Sequence, residues 1–296
     1  MLINSIGQGL LWTPLVLGVY ITFIILDIPD LTTEGSFPLG AAVTISAQLS
    51  GQQVLIALLL GFLTGTIAGI ITGILNTKLH IPALLAGILT LTGLYSINMH
   101  IMGRANLALI DQKTLIDLIP VIGSDDVRTI VVTLPIVCGV LGLLYIFFST
   151  RLGLDLRAVG NNRIMSVTNG IRADRMTILG YAISNGLIAL SGGLIAQGNG
   201  FADINMGVGT IVIGLASVLL GEIMVASRKI VWQLVSMAIG AIIYRTILAG
   251  AMNIGISPDD LKIFSALILV VVIVAPMIGE KLKQKYRLAA YLKQQK

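Results

Sequence analysis

The sequence predicts an all-α polytopic membrane protein with about nine transmembrane or re-entrant helices. Three observations predict it. The chain is 56% hydrophobic and only 11% charged, with a mean hydropathy of +0.96, whereas soluble domains carry roughly 25% charged residues. Apolar runs recur at or near the length a bilayer requires, about 20 residues per helix. The basic residues gather in a few loops and in the tail, not on one face. That distribution excludes a nucleic-acid footprint and makes the lipid bilayer the first partner implied.

The first apolar run, Gly9–Leu26, has no charged segment before it and no cleavage site after it, so it reads as a retained span rather than a signal peptide. Phe37–Leu49 is too short to cross alone. It follows Asp30-Leu31-Thr32-Thr33-Glu34-Gly35-Ser36 and contains Pro38, so a broken or re-entrant element is expected. Irregular backbone at membrane depth survives only beside protein or a water-filled cavity. Thr32, Thr33, Glu34 and Ser36 are therefore candidate linings of a substrate path. The alternative for Glu34 is a carboxylate that caps a helix N-terminus.

Val54–Leu75 carries Gly61, Gly65, Gly69 and Gly73 at every fourth position, a face that lets another backbone come close. The partner is either a helix of the same chain or a second copy. Ile81–Met102 and Ile130–Phe148 follow. After a polar insert come Thr177–Gln197, Gly207–Ala226, Ile230–Ala249 and Ile263–Ile278. The transmembrane domain is expected over 1–280, with a basic tail over 281–296. The Gly-rich starts of Phe37–Leu49 and Gly207–Ala226 are faintly alike, a hint of inverted halves.

Lysine and arginine set the orientation. With the C-terminus in the cytoplasm, fourteen of the 19 basic residues lie inside: Lys78, five arginines in 151–176, Arg228, Lys229 and six in the tail. The side of the N-terminus depends on whether Phe37–Leu49 crosses. Of the few ionisable residues in spans, Glu222 is close to Arg228 and Lys229, and Arg245 is placed to snorkel.

Leu190-Ser191-Gly192-Gly193-Leu194 has the letters of an ATPase signature, but no GxxxxGK[ST] accompanies it and it lies inside a span. Small residues at a helix crossing are the better reading. No nucleotide motif and no His/Cys cluster is present, since His80, His100 and Cys138 are scattered. The chain is thus not expected to be an enzyme or to hold a metal or cofactor. The segment from Gly198 to Gly207 is polar and free of Lys and Arg. Its Asn199, Asp203 and Asn205 belong either to a simple turn or to an outer gate.

The insert 151–176, RLGLDLRAVGNNRIMSVTNGIRADRM, is basic and long enough for a soluble partner to push against. Within Asn161–Gly170 a short helix is expected. Ile164, Met165 and Val167 would be its apolar contacts, Arg163 and Arg172 its polar rim, and Gly170 its end.

Here the residues reach a family. Gly153-Leu154-Asp155-Leu156-Arg157-Ala158-Val159-Gly160-Asn161-Asn162, Gly170-Ile171 and Asn205-Met206-Gly207-Val208-Gly209 resemble permease subunits of ABC importers of the branched-chain amino acid and ribose type. Asp30 through Ala41 is similar to the subgroup paired with tryptophan/tyrosine-type binding lipoproteins. One departure is Asn161-Asn162, where many relatives carry an acidic residue. The resemblance implies a plasma-membrane permease for an aromatic or hydrophobic amino acid. It also implies a second permease copy, cytoplasmic ATPase subunits that hold ATP and Mg, and an extracellular substrate-binding lipoprotein. The rivals are an ion-coupled secondary transporter and a non-transport membrane scaffold.

Overall fold

A computed structural model describes residues 2–110, 114–118, 125–225, 229–257 and 260–274. The tail 281–296 and Arg228 lie outside the described residues. The described chain is helical almost throughout, and six helices are long and apolar enough to cross a membrane. These are α1 (Leu2–Val19, continued by a π-helical turn over Tyr20–Ile25), α3 (Val54–Thr77), α4 (Ala83–Met102), α5 (Asp125–Ser149), α8 (Ala173–Asn199) and α10 (Ile230–Asn253). The expected count of nine is met only by adding shorter helices: α2 (Thr33–Leu49), α9 (Thr210–Met224) and α11 (Leu261–Val274). The polar insert forms α6 (Arg151–Asn161) and α7 (Arg163–Thr168).

α1 and α8 are mostly buried, whereas α4 and α5 expose most of their apolar surface. The centre of the bundle is therefore the α1–α8 pair. The two run antiparallel: Ser191 donates to the Leu11 carbonyl and Ser184 to the Gly18 carbonyl, each at 2.8 Å. α8 starts at the basic insert, so α1 starts at the opposite end. There Asn4 donates to Asp126 at the start of α5.

α2 runs parallel to α8. Ser36 meets Asn185, Gly40 meets Ala189, Thr44 meets Gly193 and Gln48 meets Gln197, in steps of four on both helices. This corrects the expectation of a broken element. α2 is one continuous helix of 17 residues with Pro38 inside it. Proline cannot donate to the carbonyl four residues back, which here belongs to Glu34. That carbonyl instead faces the backbone of Gly207, where any Cβ would overlap it. The helix is roughly 26 Å long at 1.5 Å per residue, short of the ~30 Å hydrocarbon core. The crossing begins with the irregular segment 26–32.

The second half repeats this plan upside down. α8, the irregular segment 200–209, α9, α10 and α11 follow in the same order as α1, 26–32, α2, α3 and α4. The starts of the paired helices, Thr33 and Thr210, Val54 and Ile230, Ala83 and Leu261, keep a nearly constant separation in sequence. The packing repeats too. Gly9 of α1 lies against Ile242 of α10, and Gly186 of α8 lies against Phe62 and Thr66 of α3. α2 sits against α3 and α4, as α9 sits against α10 and, through Ala216 with Leu261 and Phe264, α11. Inverted halves of this kind relate two bundles by an axis in the membrane plane.

All four α3 glycines are used within the chain. Gly61 faces α2 near Thr44 and Gly40, while Gly65, Gly69 and Gly73 face Asn185 and Ala189, Tyr181 and Ile178 of α8. Gly192 and Gly193 of the Leu190–Leu194 stretch likewise admit Phe37 and Thr44 of α2. α5 stands off from this seam. An apolar groove of about 430 Å³ separates it from α3 and α8, lined by Phe62, Val140, Leu144 and Leu187 among others. A two-stranded antiparallel pair, Asn106–Ala108 with Phe201–Asp203, joins the exits of α4 and α8 at the end opposite the basic insert.

A side chain at Gly69 has no room, because its Cβ would overlap the Tyr181 carbonyl oxygen and lie 2.7 Å from the carbonyl carbon. Gly69→Val is expected to destabilise the protein by about 1–3 kcal/mol or more through overpacking. Gly142→Val on α5, where nothing lies within 4 Å, should be close to neutral. Thermal unfolding of the two variants in detergent compares them directly, and equal midpoints would refute the seam.

Candidate functional site

Two places carry chemistry, one inside the bundle and one at its basic end. Inside, the N-termini of α2 and α9 lie side by side. Glu34, in the first turn of α2, accepts the backbone N–H of Gly209 at 2.9 Å, just before α9. A carboxylate is favourable there because unsatisfied N–H groups give a helix start partial positive charge. Gly209 reaches this position with φ +86, a left-handed conformation that suits glycine. Beside the contact is a cavity of about 390 Å³, lined by Glu34 and Pro38 of α2, Leu91, Tyr95 and Asn98 of α4, Asn205 and others.

Thus the structure brings Glu34 and Asn205 to one cavity. It places Thr32, Thr33 and Ser36 differently. All three are fully buried, and their hydroxyls are bonded inside the protein. Ser36 donates to Asn185 Oδ1 at 2.7 Å, Thr33 donates to the Asp30 carbonyl, and the Thr32 hydroxyl shares a hydrogen bond with that of Thr72. Asp30, itself fully buried, accepts from the Thr32 N–H and from Asn185 Nδ2. These residues hold the irregular segment 26–32 together; they do not line the cavity.

Asn199 is exposed at the end of α8. Asp203 accepts the Asn205 N–H at 2.8 Å and Asn106 Nδ2 at 3.3 Å, so it shapes the turn after the short strand. Arg245 does not extend outward as expected. Its guanidinium sits 4.0 Å from the centre of the Trp12 ring, which stacks on Phe37; a cation over an indole face is a favourable arrangement. Tyr95 and Asn98 were not among the sequence candidates. Their signal was present in α4, a span with Thr90, Thr92, Tyr95, Ser96 and Asn98 among its apolar residues.

At the basic end, α7 is a short helix with defined ends. Asn162 caps it by accepting the Met165 N–H on its side-chain oxygen at 3.0 Å. An acidic residue offers the same acceptor, so the departure at Asn161-Asn162 costs no cap. Gly170, with φ +82, turns the chain after the helix. Ile164, Met165 and Val167 are exposed. Arg163 is not free at the rim: it bonds Asp174 at 2.8 Å, which also meets Lys78 at 3.2 Å. Exposed Arg172 borders the same small basin. α6 ties α7 to the bundle. Leu156 and Val159 are buried, and at Gly160 any Cβ would overlap the Ile25 carbonyl at the π-turn of α1.

An inverted bundle with six long apolar helices among the described residues has the architecture of a multi-pass membrane protein. The chain belongs to the permease-component family of the branched-chain amino acid transport system, whose model matches residues 1–275. It is 37% identical over 283 residues to a tyrosine transport system permease protein of Clostridioides difficile (strain R20291), covering 96% of this chain and 94% of that one. It is also 34% identical over 190 residues to an uncharacterized protein of Rickettsia prowazekii (strain Madrid E), covering 64% and 65% of the two chains. No solved structure matches it.

Loss of the α7 cap is a local test of this geometry. Asn162→Ala should loosen α7 by about 1 kcal/mol and speed exchange of the Met165 amide roughly fivefold, while Asn162→Asp leaves it slow. Hydrogen–deuterium exchange of the purified protein reads both, and unchanged exchange in the alanine variant would contradict the cap.

Proposed function

We propose that the chain is the membrane-spanning permease of an ATP-driven ABC importer that moves an aromatic or other hydrophobic amino acid inward across the plasma membrane. The exposed face of α7 carries this reading. Ile164, Met165 and Val167 are 79%, 62% and 55% exposed on a six-residue helix at the basic end. Burying such side chains contributes roughly 1.5–3 kcal/mol each, so the face suits a groove on a soluble subunit. An ATPase that binds ATP and Mg is the partner that fits, because this chain carries no phosphate-binding loop.

Closure of the ATPases would push α7, and α6 would pass the load to α1 at Ile25. Two copies of the permease, forming a homodimer, would enclose the path. An extracellular binding lipoprotein would deliver substrate to the opposite end, where Asn199 and the short strand pair lie. The tyrosine assignment of the Clostridioides difficile relative supports the aromatic substrate class.

Two measurements test the reading. Met165→Asp would bury an unpaired charge on docking, at a cost of several kcal/mol. It should release the ATPase or uncouple hydrolysis from uptake, with the membrane part still folded; normal tyrosine uptake by this variant would refute the coupling role. For sidedness, single cysteines at Ile164 and Ile3, both exposed, are placed in a Cys138→Ser background. A membrane-impermeant thiol reagent on intact cells should label the Ile3 position alone, because α1 and α8 run in opposite directions. The reverse pattern would invert the orientation.

A further inference from the structure

We propose that the cavity beside α2 and α4 is the subsite that receives the ammonium group of the transported amino acid, with Glu34 and Asn98 as its acceptors. This rests on the permease reading above and names the group recognised. Asn98 has no exposed surface, yet it lines the cavity. Its Nδ2 donates to the Gly35 carbonyl at 3.3 Å, and this bond orients the amide. The other atom, Oδ1, is buried without a hydrogen-bond partner. A buried acceptor left unpaired is costly, and a bound donor would recover that cost.

Glu34 offers the second acceptor. One of its oxygens is held by Gly209, and the other has no hydrogen-bond partner among the described residues. Two acceptors, one of them a carboxylate, therefore belong to a cavity that has no lysine, arginine or histidine in its wall among the described residues. The complementary group is a small cation with several donors, as an ammonium is. Pro38, Leu91, Tyr95, Ile204 and Val208 give the wall an apolar and aromatic part, beside the polar Asn205, Thr92 and Ser96. At about 390 Å³ the space is within the range of small-molecule sites and suits a ring-bearing side chain. Thr92, Tyr95 and Ser96 are exposed at its rim.

The simpler role for Glu34 is to cap α9 and nothing more. Glu34→Gln separates the two, since glutamine keeps an acceptor for the Gly209 N–H while an N–H donor replaces the second carboxylate oxygen. The assembled permease–ATPase complex, without the binding protein, is tested for retention of labelled tyrosine. The competitors are tyramine, which has the amine but no carboxylate, and 3-(4-hydroxyphenyl)propionate, which has the carboxylate but no amine.

Tyramine should compete and the propionate should not. Glu34→Gln should weaken tyrosine and tyramine tenfold or more, with the complex still intact on size-exclusion chromatography. Asn98→Leu, which removes the acceptor, should lose tyramine binding with the complex still intact. Competition by the propionate equal to that of tyramine, or wild-type affinity in Glu34→Gln, overturns the subsite. Displacement of tyrosine by sodium chloride but not by tyramine also overturns it, assigning the carboxylate to an inorganic cation. Uptake by wild-type proteoliposomes supplied with binding protein is measured first. No uptake removes the permease reading itself, whereas uptake with unresponsive variants removes the subsite alone.

Discussion

Backbone that leaves the helix inside a bilayer must find a partner for every N–H and C=O, because the hydrocarbon offers none. Among the described residues two irregular stretches, 26–32 and 200–209, lead into the short helices α2 and α9, and much of the bundle serves those two places. The first is closed around Asp30, whose carboxylate takes the Thr32 N–H and the Asn185 amide. From Thr32 a run of hydroxyls continues through Thr72 to Thr90, linking α2, α3 and α4. The second is closed by Asp203 at the strand turn and by Glu34 at the start of α9. Each side chain here replaces a bond that an uninterrupted helix would have made with itself.

The inverted plan turns this constraint into a site. In each half the irregular stretch comes first and the short helix second, so α2 and α9 start side by side and diverge toward opposite ends. Their starts bring two sets of unsatisfied N–H groups together, and a single carboxylate stands between them. The irregular stretch of the first half also lies directly after the π-turn of α1, where Gly160 of α6 meets the Ile25 carbonyl. π-turns are frequent at functional sites. The exposed α7 is thus joined, through α6 and α1, to the segment that ends at Glu34. The connection is one of direct contact.

Much of this was legible in sequence, and the misreadings share a cause. Long apolar runs gave five of the six long helices to within about five residues at each end, because lipid imposes length and hydropathy on them; α1 starts at Leu2, seven residues before the expected Gly9. α7 was legible because polar residues flank Ile164, Met165 and Val167, and Gly170 follows at the turn. α2 was misread as broken. Pro38 normally disrupts a helix, and only the fold reveals that the carbonyl it frees is faced by Gly207. Thr32, Thr33 and Ser36 looked like a polar path because a sequence does not say whether a hydroxyl faces water or another side chain. Asn98 was missed for the opposite reason: one amide in an apolar span looks incidental until the fold shows its oxygen buried and unpaired and the residue beside a cavity.

The glycine seam between α3 and α8 has a mechanical meaning. Where backbone touches backbone, few rotamers remain to be reset and little soft side-chain volume remains to be squeezed. Such a seam does not slide by small steps, so α2, α3 and α8 behave as one rigid block. The freedom to rearrange is left to helices that meet their neighbours through flexible side chains. α5 is separated from that block by an apolar groove of about 430 Å³, and at its far end Gly153 of α6 lies against the backbone of Phe147 and Phe148. The stiffness of the molecule is thus set residue by residue, wherever a methyl group has been omitted.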